Sequence, residues 1–233
     1  MNNPTHAKTP RSRPPARRRI LVVDDHPLTR YGIARLLELE SDLSVCAEAQ
    51  NAADALSAAR QHQPDLVLAD LMMPDGAGLE LLKNLRALNS NLPVLVVSMH
   101  DEALYAERAL RAGARGYIMK NEGGGKLVQA IRQVLEGKTY LSEGMARAAL
   151  ESFSGRKRGR GDSTLEKLTD REFEVFQLLG QGLTTREIGR RLKMSGKTVE
   201  THRLHIREKL CLKSGPALIQ HAVRWVGTQS PTL

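Results

Sequence analysis

Five polar residues set the chemistry of this 233-residue chain. Asp24, Asp25, Asp70, Ser98 and Lys120 each close or directly follow a short apolar run, at Ile20–Val23, Leu66–Ala69, Val94–Val97 and Gly116–Met119. If those runs lie side by side in a parallel sheet, all five groups converge on the edge where such sheets bind ligands. Three carboxylates in one cleft repel one another, so a proton or a cation must intervene. A hard divalent ion fits best: Mg²⁺ takes a few carboxylates, a backbone carbonyl, waters and a phosphate oxygen. The lysine and the hydroxyl then suit the remaining phosphate oxygens, which is a layout for phosphoryl transfer. His26 adjoins the acidic pair but suits softer ions, so it is not placed among the ligands.

The elements needed to position these groups are legible over residues 19–141. A fifth β-rich run, Leu43–Ala47, completes the strand set, and stretches of helical spacing separate the runs: 28–39, 52–60, 79–88, 103–112 and 126–135. The order predicts a (βα)5, flavodoxin-like α/β unit, with a five-stranded parallel sheet covered on both faces and right-handed crossovers. Two other phosphate-binding designs fail. A dinucleotide fold needs G-x-G-x-x-G after the first strand, where this chain has Asp24-Asp25-His26-Pro27. In Gly123-Gly124-Gly125-Lys126, Lys120 stands where a phosphate loop needs its first glycine, and Leu127 replaces Ser or Thr.

Charge divides the remainder. The chain carries 35 Lys and Arg against 26 Asp and Glu, a net +9, yet residues 19–141 are net −3 while residues 1–18 and 166–233 are each +5. Such asymmetry points to an anion-binding end, with nucleic acid the leading candidate. Residues 1–18 hold four prolines and read as a disordered basic arm; 142–165 read as a helix followed by a flexible basic linker, densest in Gly and Arg over 154–163. No apolar run approaches the roughly 20 residues of a membrane span, and the N-terminus lacks the apolar stretch of a secretory signal, so a cytoplasmic protein without membrane contact is expected. Cys46 and Cys211 stand alone, as expected of small core residues.

Residues 166–228 read as an all-α domain. Capping boxes at Thr169-Asp170-Arg171-Glu172 and Thr184-Thr185-Arg186-Glu187 open helices over 170–181 and 185–193, Ser195 caps a third over 196–210, and Ser214 opens a fourth through Trp225. Short helices joined by a tight turn, the later one cationic outside, fit a helix-turn-helix that enters the major groove. With Val199, Ile206 and Leu210 inward, Lys197, Glu200, Thr201, Leu204 and Glu208 point out, flanked by Arg203 and Arg207. Lys197, Glu200, Thr201, Arg203, Leu204 and Arg207 form the expected DNA-contacting set, with Glu200 able to accept from cytosine N4 and Leu204 to meet a thymine methyl.

Leu21-Val22-Val23-Asp24-Asp25-His26, Asp70-Leu71-Met72-Met73-Pro74 with Gly78, Ser98, and Gly113-Ala114-Arg115-Gly116-Tyr117 with Lys120 resemble the receiver domain of bacterial two-component response regulators. Leu168 to Glu172, Gly182-Leu183-Thr184, Glu187-Ile188, Leu192, Ser195, Thr198 to His202 and Lys209-Leu210 resemble the LuxR-type DNA-binding domain, and the pair resembles the NarL/FixJ class. The resemblance implies that Asp70 is the phosphoacceptor, that Asp24, Asp25, Asp70 and the Met72 carbonyl hold Mg²⁺, that Lys120 pairs with the phosphoryl group, and that Ser98 and Tyr117 move together on activation. It implies a transcription regulator, not a stand-alone enzyme. The partners it implies are a sensor histidine kinase and promoter DNA bound as a homodimer, with RNA polymerase a further candidate. Two departures stand out: Glu200 where relatives often carry Lys, and Gly189 where Ala is common, a change expected to weaken its helix slightly. Two expectations about regulation follow. The acidic receiver covers the cationic recognition helix before phosphorylation, and Leu218, Ala222 and Trp225 of the last helix make a second dimer contact.

Overall fold

The computed structural model describes residues 17–71, 73, 78–99, 102–142, 144–145 and 165–229. Residues 1–16 of the expected basic arm (1–18), the Met72 carbonyl and most of the helix and linker expected over 142–165 lie outside those residues. The last two residues of the arm need correction: Arg17 donates to the Ser41 and Glu40 carbonyls, and Arg18 opens the first strand and pairs with Asp65.

Five strands, β1 (Arg18–Val23), β2 (Leu43–Ala49), β3 (Leu66–Ala69), β4 (Val94–Ser98) and β5 (Gly116–Met119), pair in parallel in the order β2-β1-β3-β4-β5. They alternate with α1 (Pro27–Glu38), α2 (Ala52–His62), α3 (Gly78–Leu88), α4 (Glu102–Ala112) and α5 (Gly124–Leu135). Each expected element is present, its ends moved by a few residues.

Because both faces of the sheet are covered, β1, β3 and β4 are apolar at successive positions, and alternate side chains serve opposite cores. Ile20, Val22, Leu66, Leu68, Leu95 and Val97 join Ile33 and Leu37 of α1 and Leu127, Ile131 and Val134 of α5. Leu21, Val23, Val67, Ala69, Val94 and Val96 join α2, α3 and α4 through Ala55, Leu82, Leu85, Ala106 and Ala109. Strand order reverses direction between β1 and β3, the switch point at which such sheets open a crevice, and Asp24 and Asp70 stand at the ends of these adjacent strands. Gly78 lets the chain after β3 fold back tightly, since a Cβ there would strike the Leu71 carbonyl.

The second unit comprises α6 (Asp170–Gly180), α7 (Thr185–Arg191), α8 (Gly196–Lys209) and α9 (Gly215–Gln229), preceded by a 3₁₀ turn at Leu165–Lys167. Both capping boxes form: the Thr169 amide donates to Glu172 at 2.7 Å, and the Thr184 amide to Glu187 at 2.8 Å. Ser195 accepts from the Thr198 amide at 3.0 Å.

Three further expectations need correction. Cys211 is exposed, because it follows α8 in the left-handed conformation (φ 55°) that ends the helix; Cys46 is half-buried on edge strand β2, its thiol toward the Ile20 carbonyl. Leu218 and Ala222 are fully buried within the helical unit, and the half-buried Trp225 packs against its core, edge-on to Phe173 and tilted to Phe176, each at 5.5 Å. The exposed apolar residues of α9 are Ile219 and Val223. Gly189 has a packing reason: a Cβ there would lie 2.8 Å from the Met194 carbonyl, where the chain after α7 returns against the helix.

Candidate functional site

Asp24 leaves β1 with its amide bonded to the Ala49 carbonyl, and Asp70 leaves β3 with its amide bonded to Val23. Both are buried. The turn into α1 then folds onto Asp24: the His26 amide donates to its Oδ1 at 2.8 Å, and Pro27 begins the helix without needing a donor of its own. From the far side, β5 delivers Lys120, whose Nζ lies 2.7 Å from Oδ2 of Asp24 and 2.7 Å from Oδ2 of Asp70. Burial alone would favour the neutral amine, but the two carboxylates outweigh it and raise the Lys120 pKa. The ammonium thus bridges the strands on either side of the switch point.

Asp25 is the less buried acid. Its Oδ1 is shielded from solvent, makes no well-formed hydrogen bond and has the His26 imidazole 2.9 Å away. Ligand atoms of Asp24, Asp25, His26 and Asp70 all lie within 4.8 Å of one another. An incompletely satisfied carboxylate oxygen beside two buried carboxylates is a donor set that fits a hard divalent cation. The structure therefore brings His26 to the cluster, where it pairs with Asp25. Ser98 and Tyr117 are both fully buried. Tyr117 points inward, in a core shared with Tyr105 of α4.

Sequence reasoning missed Arg30, whose guanidinium donates to the Asp24 carbonyl at 2.7 Å and to Glu48 at 3.1 Å. Nothing in its spacing marks it, since the contact depends on how α1 lies across β1 and β2.

In the helical unit, Val199, Ile206 and Leu210 of α8 are buried, while Lys197, Glu200, Thr201, Leu204 and Glu208 are exposed and Arg203 and Arg207 are half-buried, as the stripe predicts. The polar groups of this face are partly engaged within the domain. The Thr201 hydroxyl donates to the Lys197 carbonyl at 3.1 Å, and Glu200 accepts from Thr185 of α7 and from Arg203. Glu172 is buried under α8; Lys209, 2.6 Å away, and the Thr169 amide outweigh its burial and lower its pKa.

Among the described residues, the receiver does not cover α8. It meets the helical unit through α3 and α4, against the start of α6, because cations and carbonyls match there. Arg108 of α4 donates to the Leu165 carbonyl at 2.7 Å and the Leu168 carbonyl at 2.9 Å, lies 3.4 Å from Asp170 and stacks over the Phe173 ring at 4.4 Å. Tyr105 meets Phe173 edge-on at 5.3 Å. Lys83 pairs with Asp170 at 2.6 Å, and Arg171 lies 3.4 Å from Glu80. Between the start of α2 and α7, Asn51 and Asp54 line a cleft of about 1060 Å³ with Arg190, Arg191 and Lys193. Among the described residues, what the acidic receiver approaches is thus the flank of α7 and not the outer face of α8.

Comparison with known proteins accounts for both units. Residues 20–132 match the response regulator receiver domain family, and residues 166–222 match the luxR family of bacterial regulatory proteins. The oxygen regulatory protein NreC of Staphylococcus carnosus is 34% identical over 210 residues, covering 88% of this chain and 97% of the relative; NreC of Staphylococcus aureus is 33% identical over the same span. A LuxR-family two-component response regulator from Aurantimonas sp. SI85-9A1 is 35% identical with a TM-score of 0.56, covering 60% of this chain and 99% of that one. RcsB from Salmonella enterica serovar Typhimurium, solved on a promoter with a phosphomimetic, shares the fold at 22% identity and a TM-score of 0.66, over 89% of this chain and 98% of that one. The chain belongs to the two-component response regulators that join a receiver to a LuxR-type helix-turn-helix domain, and it is a phosphorylation-dependent, DNA-binding regulator of transcription.

Proposed function

We propose that Asp70 is the residue phosphorylated, taking its phosphoryl group from the phosphohistidine of a sensor kinase: the P–N bond breaks as an Asp70 carboxylate oxygen bonds to phosphorus. The observation that carries this reading is the largely shielded Lys120 ammonium 2.7 Å from Asp70 and Asp24, a fixed cation beside the only acid of the cluster that closes β3. Asp24, Asp25, Asp70 and the Met72 carbonyl would hold Mg²⁺, which when bound offsets the charge of nucleophile and donor. Lys120 then pairs with the transferred group, and Ser98 donates to it from the end of β4. That attraction reaches α4, which follows β4 directly and carries Tyr105 and Arg108 into the contact with α6. Tyr117, buried in the same core as Tyr105, repacks with it.

Residues 19–141 thus receive the signal, and residues 166–228 deliver it to promoter DNA through Lys197, Glu200, Thr201, Arg203, Leu204 and Arg207, in the cytoplasm and as a homodimer on two half-sites, with RNA polymerase as a downstream partner. Receiver pairing and release of the α4–α6 contact replace covering of the recognition helix as the means of activation. Among the described residues no helix is long and apolar enough to cross a membrane.

Intact-protein mass spectrometry after incubation with acetyl phosphate tests the acceptor. One phosphoryl adduct is expected with Mg²⁺, and none with a chelator or in Asp70→Asn. An adduct that persists in Asp70→Asn overturns the assignment.

A further inference from the structure

Glu200 stands on the outer face of α8 at a place where it could accept a hydrogen bond from a base, yet one of its carboxylate oxygens is already committed within the domain. Its Oε1 accepts from the Thr185 hydroxyl at 2.7 Å and from Arg203 Nη1 at 2.8 Å, and the same Arg203 nitrogen donates to the Thr185 hydroxyl at 2.7 Å. The ring is closed and its polarity is fixed. Thr185 has one hydroxyl proton, which goes to Glu200, so toward Arg203 it acts as acceptor. Thr185 is the first residue of α7, whereas Glu200 and Arg203 are one turn apart on α8, so the ring spans the crossing of the two helices of the helix-turn-helix. A lysine at 200 would meet Arg203 with like charge, and the ring could not form.

We infer that Glu200 is a specificity-determining positioning residue, which reads no base itself and instead holds Arg203 at the α7–α8 crossing in the orientation it presents to DNA. This inference rests on α8 being the helix that enters the groove, and it moves Glu200 from the base-contacting members of that face to the support of Arg203. Energy alone would not justify the ring: the Glu200–Arg203 pair is at the surface, where such pairs contribute little to stability. Its value is geometric. An arginine free to rotate loses conformational entropy on every contact it makes, while one held by two acceptors meets DNA in one orientation. The remaining exposed groups of the face fit this division. Thr201 spends its hydroxyl on the Lys197 carbonyl, leaving its methyl and the Leu204 side chain as apolar contacts and Lys197 and Arg207 as cations.

The test uses full-length protein phosphorylated with acetyl phosphate. A duplex is first selected by the wild type from a pool of random sequence, and the affinity for it is compared with that for a scrambled duplex. Thr185→Ala and Glu200→Ala should each lower that preference by about tenfold, the scale of one specific contact, and the double variant should lower it no further. Thr185→Ser and Glu200→Gln keep both acceptors and should restore it to within about threefold, a rescue that a loss of folding would not show. Thr185→Ala with wild-type preference, or Glu200→Gln as defective as Glu200→Ala, overturns the inference and makes Glu200 a direct reader. A wild type that prefers no sequence at all removes the groove-entering role of α8 itself, and this inference with it.

Discussion

The pocket at the strand ends and the seam between α4 and α6 are both made of charge, but they differ in what surrounds it. In the pocket a single, largely shielded ammonium sits between two buried carboxylates, so loss of the lysine leaves uncompensated charge away from water. In the seam the cations are spread over Lys83, Arg108 and Arg171, their partners are half-exposed, and the apolar part is one aromatic contact between Tyr105 and Phe173. The first arrangement holds a fixed geometry for chemistry. The second can open at modest cost, which suits a contact that a signal must release. The difference teaches that a switch needs both: a rigid place where charge changes, and a weak contact that the change outweighs.

The largest effect should follow from damage to the pocket. Lys120→Ala should destabilise the receiver by about 3 kcal/mol in urea unfolding without divalent ions, as expected of a broken buried pair, and Mg²⁺ should recover much of the loss. Equal loss with and without Mg²⁺ would break the link between the lysine and the cation site. Phe173→Ala should come next. Its ring is buried among Tyr105, Trp225 and the Arg108 guanidinium, so removal should cost the helical unit about 3 kcal/mol, the usual scale for a buried Phe. Thermal unfolding would register this as an earlier transition of that domain, with the receiver unchanged.

Arg108→Ala should be milder in stability and stronger in function. It leaves the Leu165 and Leu168 carbonyls without a charged donor, a loss of about 1.5 to 3 kcal/mol in the closed state. Unphosphorylated protein should then bind DNA about tenfold more tightly, while acetyl phosphate labels Asp70 at the wild-type rate. DNA affinity unchanged by the substitution would make the seam a passive contact.

The smallest expected effect is a pH dependence. Glu174 is largely buried near Asp170 and Glu80, and burial, only partly opposed by Arg171 at 2.8 Å, pushes its pKa from 4.5 up to about 7. A carboxyl with a raised folded value contributes stability below its unfolded value and loses it as pH rises toward 7. Glu172, held low by Lys209 and Thr169, and His202, held low by burial, act in the opposite sense and lose stability as pH falls. The difference between wild type and Glu174→Gln therefore isolates the Glu174 contribution: the wild type should gain stability relative to the variant between pH 7 and pH 5. A constant difference across that range would show that Glu174 titrates normally.

The pocket was legible because a parallel sheet converts sequence position into place. Any residue that ends a strand arrives at the same edge, so Asp24, Asp25, Asp70 and Lys120 could be gathered without coordinates. The α8 stripe was legible for the same kind of reason, since helical periodicity alone separates Val199 and Ile206 from Glu200 and Leu204. The seam was not legible. Arg108, Lys83 and Glu80 lie on helix faces whose periodicity marks them as solvated, and only the docking of one unit on another gives them partners. The same limit explains why Trp225 looked like a surface contact and is half-buried against two aromatic rings of its own domain, and why Gly189 looked like a weak helix residue and is a packing requirement.

The central claim is that phosphate on Asp70 is felt in the helical unit through α4. Hydrogen exchange on full-length protein, with and without acetyl phosphate in Mg²⁺, measures this directly. Amides of 105–112 and of 165–174 should lose protection together on phosphorylation, and Ser98→Ala, though phosphorylated, should keep both protected. Protection that changes within the receiver while 165–174 stay as they were would contradict it.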